Sequence, residues 1–301
     1  MAQSIDPAQL TVNGRIVSGN LLCMASMAVW AAGFPAADIL LRDWDIATLV
    51  AARFALALSV LLPLWVWRDG IAALQQANWP RGLFVGALAF GGGAWLILVA
   101  QWLTDPVTVA IIAASSPICA TLIEWAYDRR PLTTAFALGL VASVIGGIVA
   151  TGGGAAPANL GLGALAAIGS CILFAWGSYM SVRDFPTLSV FGRTTITLSG
   201  GLIAAVVLFL LSACLGRAAL PAPPDMQTIG LLMIYGIGGM ALSQLLWIAS
   251  VERLGVAIAS FHTNIAPFYV MLILLALGGI WSWPQAIGAL VVALGVILAQ
   301  R

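Results

Sequence analysis

The sequence predicts an all-α integral membrane protein with ten transmembrane helices, arranged as two inverted five-helix repeats around a central cavity. Three observations carry this reading. Of 301 residues, 62% are hydrophobic and 8% charged, with a mean hydropathy of +1.06. A water-facing domain carries about 25% charged residues, so this chain lacks the polar surface such a domain needs. Turn signals cut the chain into ten apolar pieces, each near the roughly 20 residues that a bilayer crossing requires. Finally, landmarks of the first half return in the same order in the second.

The pieces fall at 16–37, 45–67, 80–103, 106–127, 132–152, 160–182, 187–214, 226–251, 255–279 and 284–300. Residues 1–15 read as a polar cytoplasmic tail, 16–152 as the first five-helix repeat and 160–301 as the second. The first piece is too long for the apolar core of a secretory signal. The connections are short and carry most of the charge, as at Arg68-Asp69, Asp128-Arg129-Arg130, Arg183-Asp184 and Glu252-Arg253. Only 214–226, with Pro221, Pro223, Pro224 and Asp225, is a longer loop. All twelve basic residues are arginine. Counted on alternate sides, Arg15, Arg68, Arg81, Arg129, Arg130, Arg183, Arg253 and Arg301 face Arg42 and Arg217, which puts both termini in the cytoplasm of a bacterial inner membrane.

The split at the glycine-rich turn 152–159 leaves five spans per half, and an odd number forces opposite orientations. Trp30, Arg53, Pro117 and Gly139 are answered by Trp176, Arg193, Pro267 and Gly288. Two mirror-related stretches set polar side chains just ahead of a proline. Gly255–Tyr269 holds His262, the chain's one histidine, with Thr263, Asn264 and Pro267; Pro106–Cys119 holds Thr108, Ser115, Ser116 and Pro117. Polar side chains cost free energy in hydrocarbon, and a proline frees a backbone carbonyl. Both stretches therefore belong against other helices or a wet cavity, with Pro117 and Pro267 as helix bends.

The candidate binding residues follow from depth and spacing. Trp30 and Phe34 share a helix face at i, i+4, and Trp176 and Tyr179 at i, i+3. Trp30, Trp95 and Trp176 lie well inside their spans, Trp247 somewhat deeper than the headgroup belt. Trp44, Trp65, Trp67, Trp79, Trp102, Trp125, Trp281 and Trp283 sit near span ends, where the belt accounts for them. An aromatic-lined cavity suits a flat or apolar substrate group, and Ser115, Ser116, Gln244, His262 and Asn264 would add neutral hydrogen bonds to a zwitterion; packing and structural hydrogen bonds are the competing explanation for each. Arg53 and Arg193 either snorkel and bond helix-end carbonyls or serve as a gate or a carboxylate contact. Glu124, one turn from Asp128-Arg129-Arg130, reads as a local interfacial pairing, with proton coupling as the alternative. Gly139, Ser143 and Gly147, facing Ala289 and Ala293, read as close helix packing.

The net charge of +1 offers no basic patch for nucleic acid. Cys23, Cys119, Cys171 and Cys214 lie in apolar runs without metal or disulfide spacing. No Walker-type loop is present, and no cofactor or metal is expected.

Trp176-Gly177-Ser178 with its partner Trp30-Ala31-Ala32, Arg53-Phe54, Arg193, Pro117 and Pro267 together resemble the drug/metabolite transporter superfamily, in its ten-helix branch of bacterial metabolite exporters. Within that branch the chain is most similar to the aromatic amino acid exporters. The resemblance implies a cavity lined by helices 1, 3, 4, 6, 8 and 9, with helices 5 and 10 to the side. The chain departs from the family at Leu277–Pro284, which has no acid. The expected function is secondary export of small amphipathic metabolites, aromatic amino acids foremost, by alternating access, with no catalysis. The partners are the small-molecule substrate and the lipid bilayer; a monomer and an oligomer remain open. A multidrug exporter of cationic or aromatic compounds and a passive channel are the alternatives, and a cation site would want an acid deeper in helix 1 than Asp38.

Overall fold

The computed structural model describes residues 7–129, 133–150, 157–218 and 223–299. Among these residues the chain forms ten helical spans and no strands. They are α1 (Pro7–Leu40), α2 (Ile46–Gln76), α3 (Trp79–Leu103), α4 (Pro106–Asp128), α5 (Thr134–Ala150), α6 (Pro157–Arg183), α7 (Val190–Cys214), α8 (Met226–Leu254), α9 (Val256–Ala276) and α10 (Trp283–Ala299). Eight of them are long and apolar enough to cross a membrane; α5 and α10, of 17 residues each, are at the short end of that range.

The polar residues between spans act as caps. Asp45 accepts from the Thr48 amide at 2.9 Å, Asp105 from Val107 and Thr108, Asp225 from Thr228, and Ser189 from Gly192. Each satisfies an orphan donor at a helix start. Two boundaries differ from the sequence expectation. Helix α1 begins at Pro7, inside the expected tail. Helix α2 runs through Arg68-Asp69 and turns at Gly70, whose φ of 81° a residue with a side chain rarely adopts. The turn at 152–156 and the arginines at 130 and 301 lie outside the described residues.

The packing obeys the pseudo-twofold of an inverted repeat. Helix α1 packs on α8 as α6 packs on α3, and α1 on α9 as α6 on α4; α2 meets α7 and α5 meets α10 across the axis. Every one of these pairs joins one half to the other, so neither repeat forms a core alone. Helices α5 and α10 meet at Gly146, where a β-carbon would stand 2.9 Å from the Gly288 carbonyl oxygen and 2.8 Å from the Val292 nitrogen. The close approach described is at Gly146, while Ser143 and Gly147 of the expected stripe lie outside the residues whose packing is described. Ala289 is buried there.

Each half also carries two irregular helices. Helices α3 and α8 contain π-helical turns, Gly86–Gly91 and Met233–Leu242. Helices α4 and α9 are discontinuous. Helix α4 breaks at Ala114-Ser115, and α9 passes through a 3₁₀ turn, Phe261–Ile265. Both breaks stand just before a proline, whose missing N–H ends the preceding hydrogen-bond ladder. At Pro117 the freed carbonyl is that of Ala113, four residues back, and the Ser116 hydroxyl donates to it at 2.6 Å.

Candidate central cavity

At the centre of the bundle lies a cavity with about 70 Å³ available to the centres of water molecules, bounded by α1, α2, α3, α4, α6, α7, α8 and α9. That suffices for several waters. Its aromatic walls are Trp30, Phe90, Phe174 and Trp247. Phe174 lies between two of them, 6.0 Å from the Phe90 ring and 5.3 Å from Trp247. Trp247 is fixed, since it is 2% exposed and its indole N–H donates to Ser178 at 2.9 Å. Met27 and Met240 complete the apolar wall with side chains that adapt easily to a guest.

The polar groups repeat the twofold. Ser26 of α1 donates to the Ser243 carbonyl of α8 at 2.7 Å, and Ser170 of α6 donates to the Gly93 carbonyl of α3 at 2.8 Å. Each serine stands one turn before a wall aromatic, Ser26 before Trp30 and Ser170 before Phe174. Gln244 is 7% exposed, lines the cavity, and its amide nitrogen has no protein partner. A smaller cavity adjoins the first along Trp30, Arg53 and Ile97, and adds Phe34, Gln101 and Tyr235. Trp30 and Phe34 meet edge to face at 4.8 Å. No acidic side chain among the described residues lines either cavity.

Of the residues singled out from sequence, Trp30, Phe34, Ser116 and Gln244 come together on these walls, as do Arg53 and Trp247. The others stand elsewhere. Trp176 lies two residues past Phe174, about 200° around the helix, and its indole N–H donates to Tyr127 at 2.9 Å. Tyr179 joins the same group at the arginine-rich end of the bundle, donating to Asp128 at 2.9 Å and accepting from Arg183 at 3.2 Å. Trp95 is half-buried and lines neither cavity, and Ser115 sits in the α4 break. In α9 the residue that reaches the cavity is Thr263. His262 is turned aside, its Nδ1 lying 3.2 Å from the Ala259 carbonyl oxygen, and the Asn264 side-chain oxygen is buried without a protein partner. Successive helical residues differ by about 100°, so three neighbours cannot share one face.

Arg53 and Arg193 occupy mirror-related helices with different partners. Arg193 donates to the Phe185 and Pro186 carbonyls at 2.8 and 3.1 Å and pairs with Glu252 at 3.0 Å. Arg53 donates to the Gly239 carbonyl at 2.7 Å and to the Tyr235 hydroxyl at 3.3 Å, its guanidinium lying 4.2 Å from the Tyr235 ring centre. Glu124 accepts from the Ala257 amide at 3.2 Å and so caps α9 from α4, where Gly255 provides no side chain. Trp65, placed in the belt by sequence, is fully buried instead, packed under Gly192 and beside Trp79.

The sequence profile of the EamA-like transporter family matches residues 17–152 and again 161–300. The chain belongs to the EamA-like transporter family. It is accordingly a multi-pass membrane transporter of a family that carries small metabolites. Among its relatives, the uncharacterized transporter YyaM of Bacillus subtilis (strain 168) is 26% identical over 265 residues, 83% of each chain. A solved crystal structure shares the fold with a TM-score of 0.72 at 20% identity, covering 94% of this chain and 97% of the other.

In this EamA-like transporter, sequence reasoning passed over Ser26, Phe90, Ser170, Phe174 and Ser243, and named Thr263 only as a neighbour of His262. One signal for three of them was present: the spacing serine-x-x-x-aromatic at Ser26–Trp30 and Ser170–Phe174 marks the same face in both halves.

Proposed function

We propose that this transporter exports small amphipathic metabolites with a flat apolar group, aromatic amino acids foremost, by alternating access from a cytoplasm that holds both termini. One observation supports the cargo above others: four aromatic rings from α1, α3, α6 and α8 wall the cavity beside hydroxyl and amide groups. Such a cage suits a ring by stacking and shape, and its neutral groups suit a polar head. The inverted repeat, the paired π-helical turns and the paired breaks of α4 and α9 support alternating access. They give each half the irregular backbone that can repack without breaking a regular ladder. A multidrug exporter of cations fits less well, because no wall carboxylate among the described residues would offset a buried positive charge.

Counterflow in liposomes tests the reading. Purified protein, loaded with a panel of unlabelled amino acids and cationic dyes, is offered labelled phenylalanine, tryptophan, leucine and a dye. Saturable counterflow of the aromatic amino acids is expected. Counterflow of the dye alone would establish the multidrug reading, and non-saturable flux of every compound a channel.

A further inference from the structure

The charge inventory of the central cavity is lopsided. Arg53 is 6% exposed, and it is the only ionised side chain among the described residues on the walls of both cavities. A guanidinium presents five N–H protons; Gly239 and Tyr235 take one each, and the Nε–H is buried with no protein acceptor. The second unpartnered group on the larger cavity, the Gln244 amide nitrogen, is also a donor. Neither partner of Arg53 carries charge, and the ion pairs among the described residues involve Arg42, Arg68, Arg81 and Arg193 instead. A buried cation held only by dipoles costs free energy that a counter-ion would offset. Its mirror counterpart has that counter-ion in Glu252. Arg53 has the planar fork, the stacking on Tyr235 and the free edge, without the anion.

Resting on the reading that the substrate occupies this cavity, we propose that Arg53 is the anchor for the substrate's carboxylate, with Gln244 as a second donor, so that the transporter selects aromatic carboxylates and rejects the matching amines. Arg53 makes a charge-assisted contact with the carboxylate. The ring then lies toward Trp30, which lines both cavities with Arg53. An ammonium group finds no wall carboxylate.

The test uses four probes that vary charge and ring separately: 3-phenylpropanoate, L-phenylalanine, phenethylamine and 4-methylpentanoate. Binding is read from ligand-dependent thermal stabilisation of the purified full-length protein, which depends on concentration over Kd. The expected result is that 3-phenylpropanoate and phenylalanine bind at least tenfold tighter than phenethylamine. In Arg53→Gln that preference should fall to within threefold, while Arg53→Lys, which keeps the charge without the fork, should retain part of it. Phenethylamine binding as tightly as 3-phenylpropanoate to the unaltered protein would overturn the proposal, and that comparison stands even if Arg53→Gln does not fold. Undiminished acid binding by a folded Arg53→Gln would overturn it too. If 4-methylpentanoate matches 3-phenylpropanoate, the carboxylate anchor stands and the aromatic reading falls. No stabilisation by any of the four overturns both.

Discussion

Replacing Gly86 by alanine should damage this protein, although alanine is the better helix former. Gly86 lies where α3 crosses α7, and a β-carbon there would stand 1.7 Å from the Thr197 carbonyl oxygen and 2.6 Å from its carbon. The contact is reciprocal: a β-carbon at Gly200 would stand 2.2 Å from the Leu83 carbonyl oxygen. Ordinary contact begins near 3.4 Å, so the two backbones must part by 3.4 − 1.7, about 1.7 Å. Backbone atoms cannot rotate away as a flexible side chain can. A gap of 0.5–1 Å already forfeits about a quarter to a half of a dispersion contact, and Val85, Ile196 and Leu198 are buried with no exposure beside this crossing. Overpacking of this kind costs about 3 kcal/mol or more, whereas the gain in helix propensity is about 1 kcal/mol. The net expectation is a loss of about 2 kcal/mol or more, and a weaker grip on ligand, since α3 carries Phe90 and Ala94 into the cavity. Thermal unfolding in detergent measures the first and liposome counterflow the second. Gly230→Ala is the control, because nothing lies within 4 Å of its added carbon. Should Gly86→Ala unfold at the same temperature as Gly230→Ala, the reasoning from backbone approach is wrong.

Trp30→Ala should weaken binding of a phenylalanine-like ligand about tenfold, a loss of about 1.4 kcal/mol, while Trp176→Ala leaves that affinity within twofold; equilibrium binding to the two folded variants checks the contrast. His262→Gln should retain counterflow both with and without an imposed pH gradient, because its ring lines neither cavity and an amide can reach the Ala259 carbonyl; loss of gradient-driven transport with exchange intact would make His262 the proton carrier. Asp105→Ala should lower stability by about 1–2 kcal/mol, the usual worth of an N-cap, since Asp105 holds two α4 amides and the Gln285 side chain of α10. Denaturant titration of the purified variant reads that loss.

By itself the sequence determined the ten spans, their mirrored landmarks and the two places where a helix breaks. These are local matters: hydrocarbon thickness sets the length of an apolar run, and a proline lacks its N–H whatever surrounds it. The polar residues beside Pro117 and Pro267 were equally legible, but their meaning was not. Ser116 and Thr263 reach the cavity while donating to carbonyls three residues back, at Ala113 and Ser260. His262 and Asn264 flank Thr263 without reaching it. Tertiary structure decided which face of each helix looks inward, because lipid and a packed neighbour are both apolar and leave the same pattern along the chain. That is why Trp65 is buried rather than in the belt, why Phe174 and not Trp176 walls the cavity, and why Glu124 caps α9. The two arginines show the division most clearly: sequence placed both inside mirror-related spans, but only packing brought Glu252 to Arg193 and left Arg53 facing a cavity without an acid.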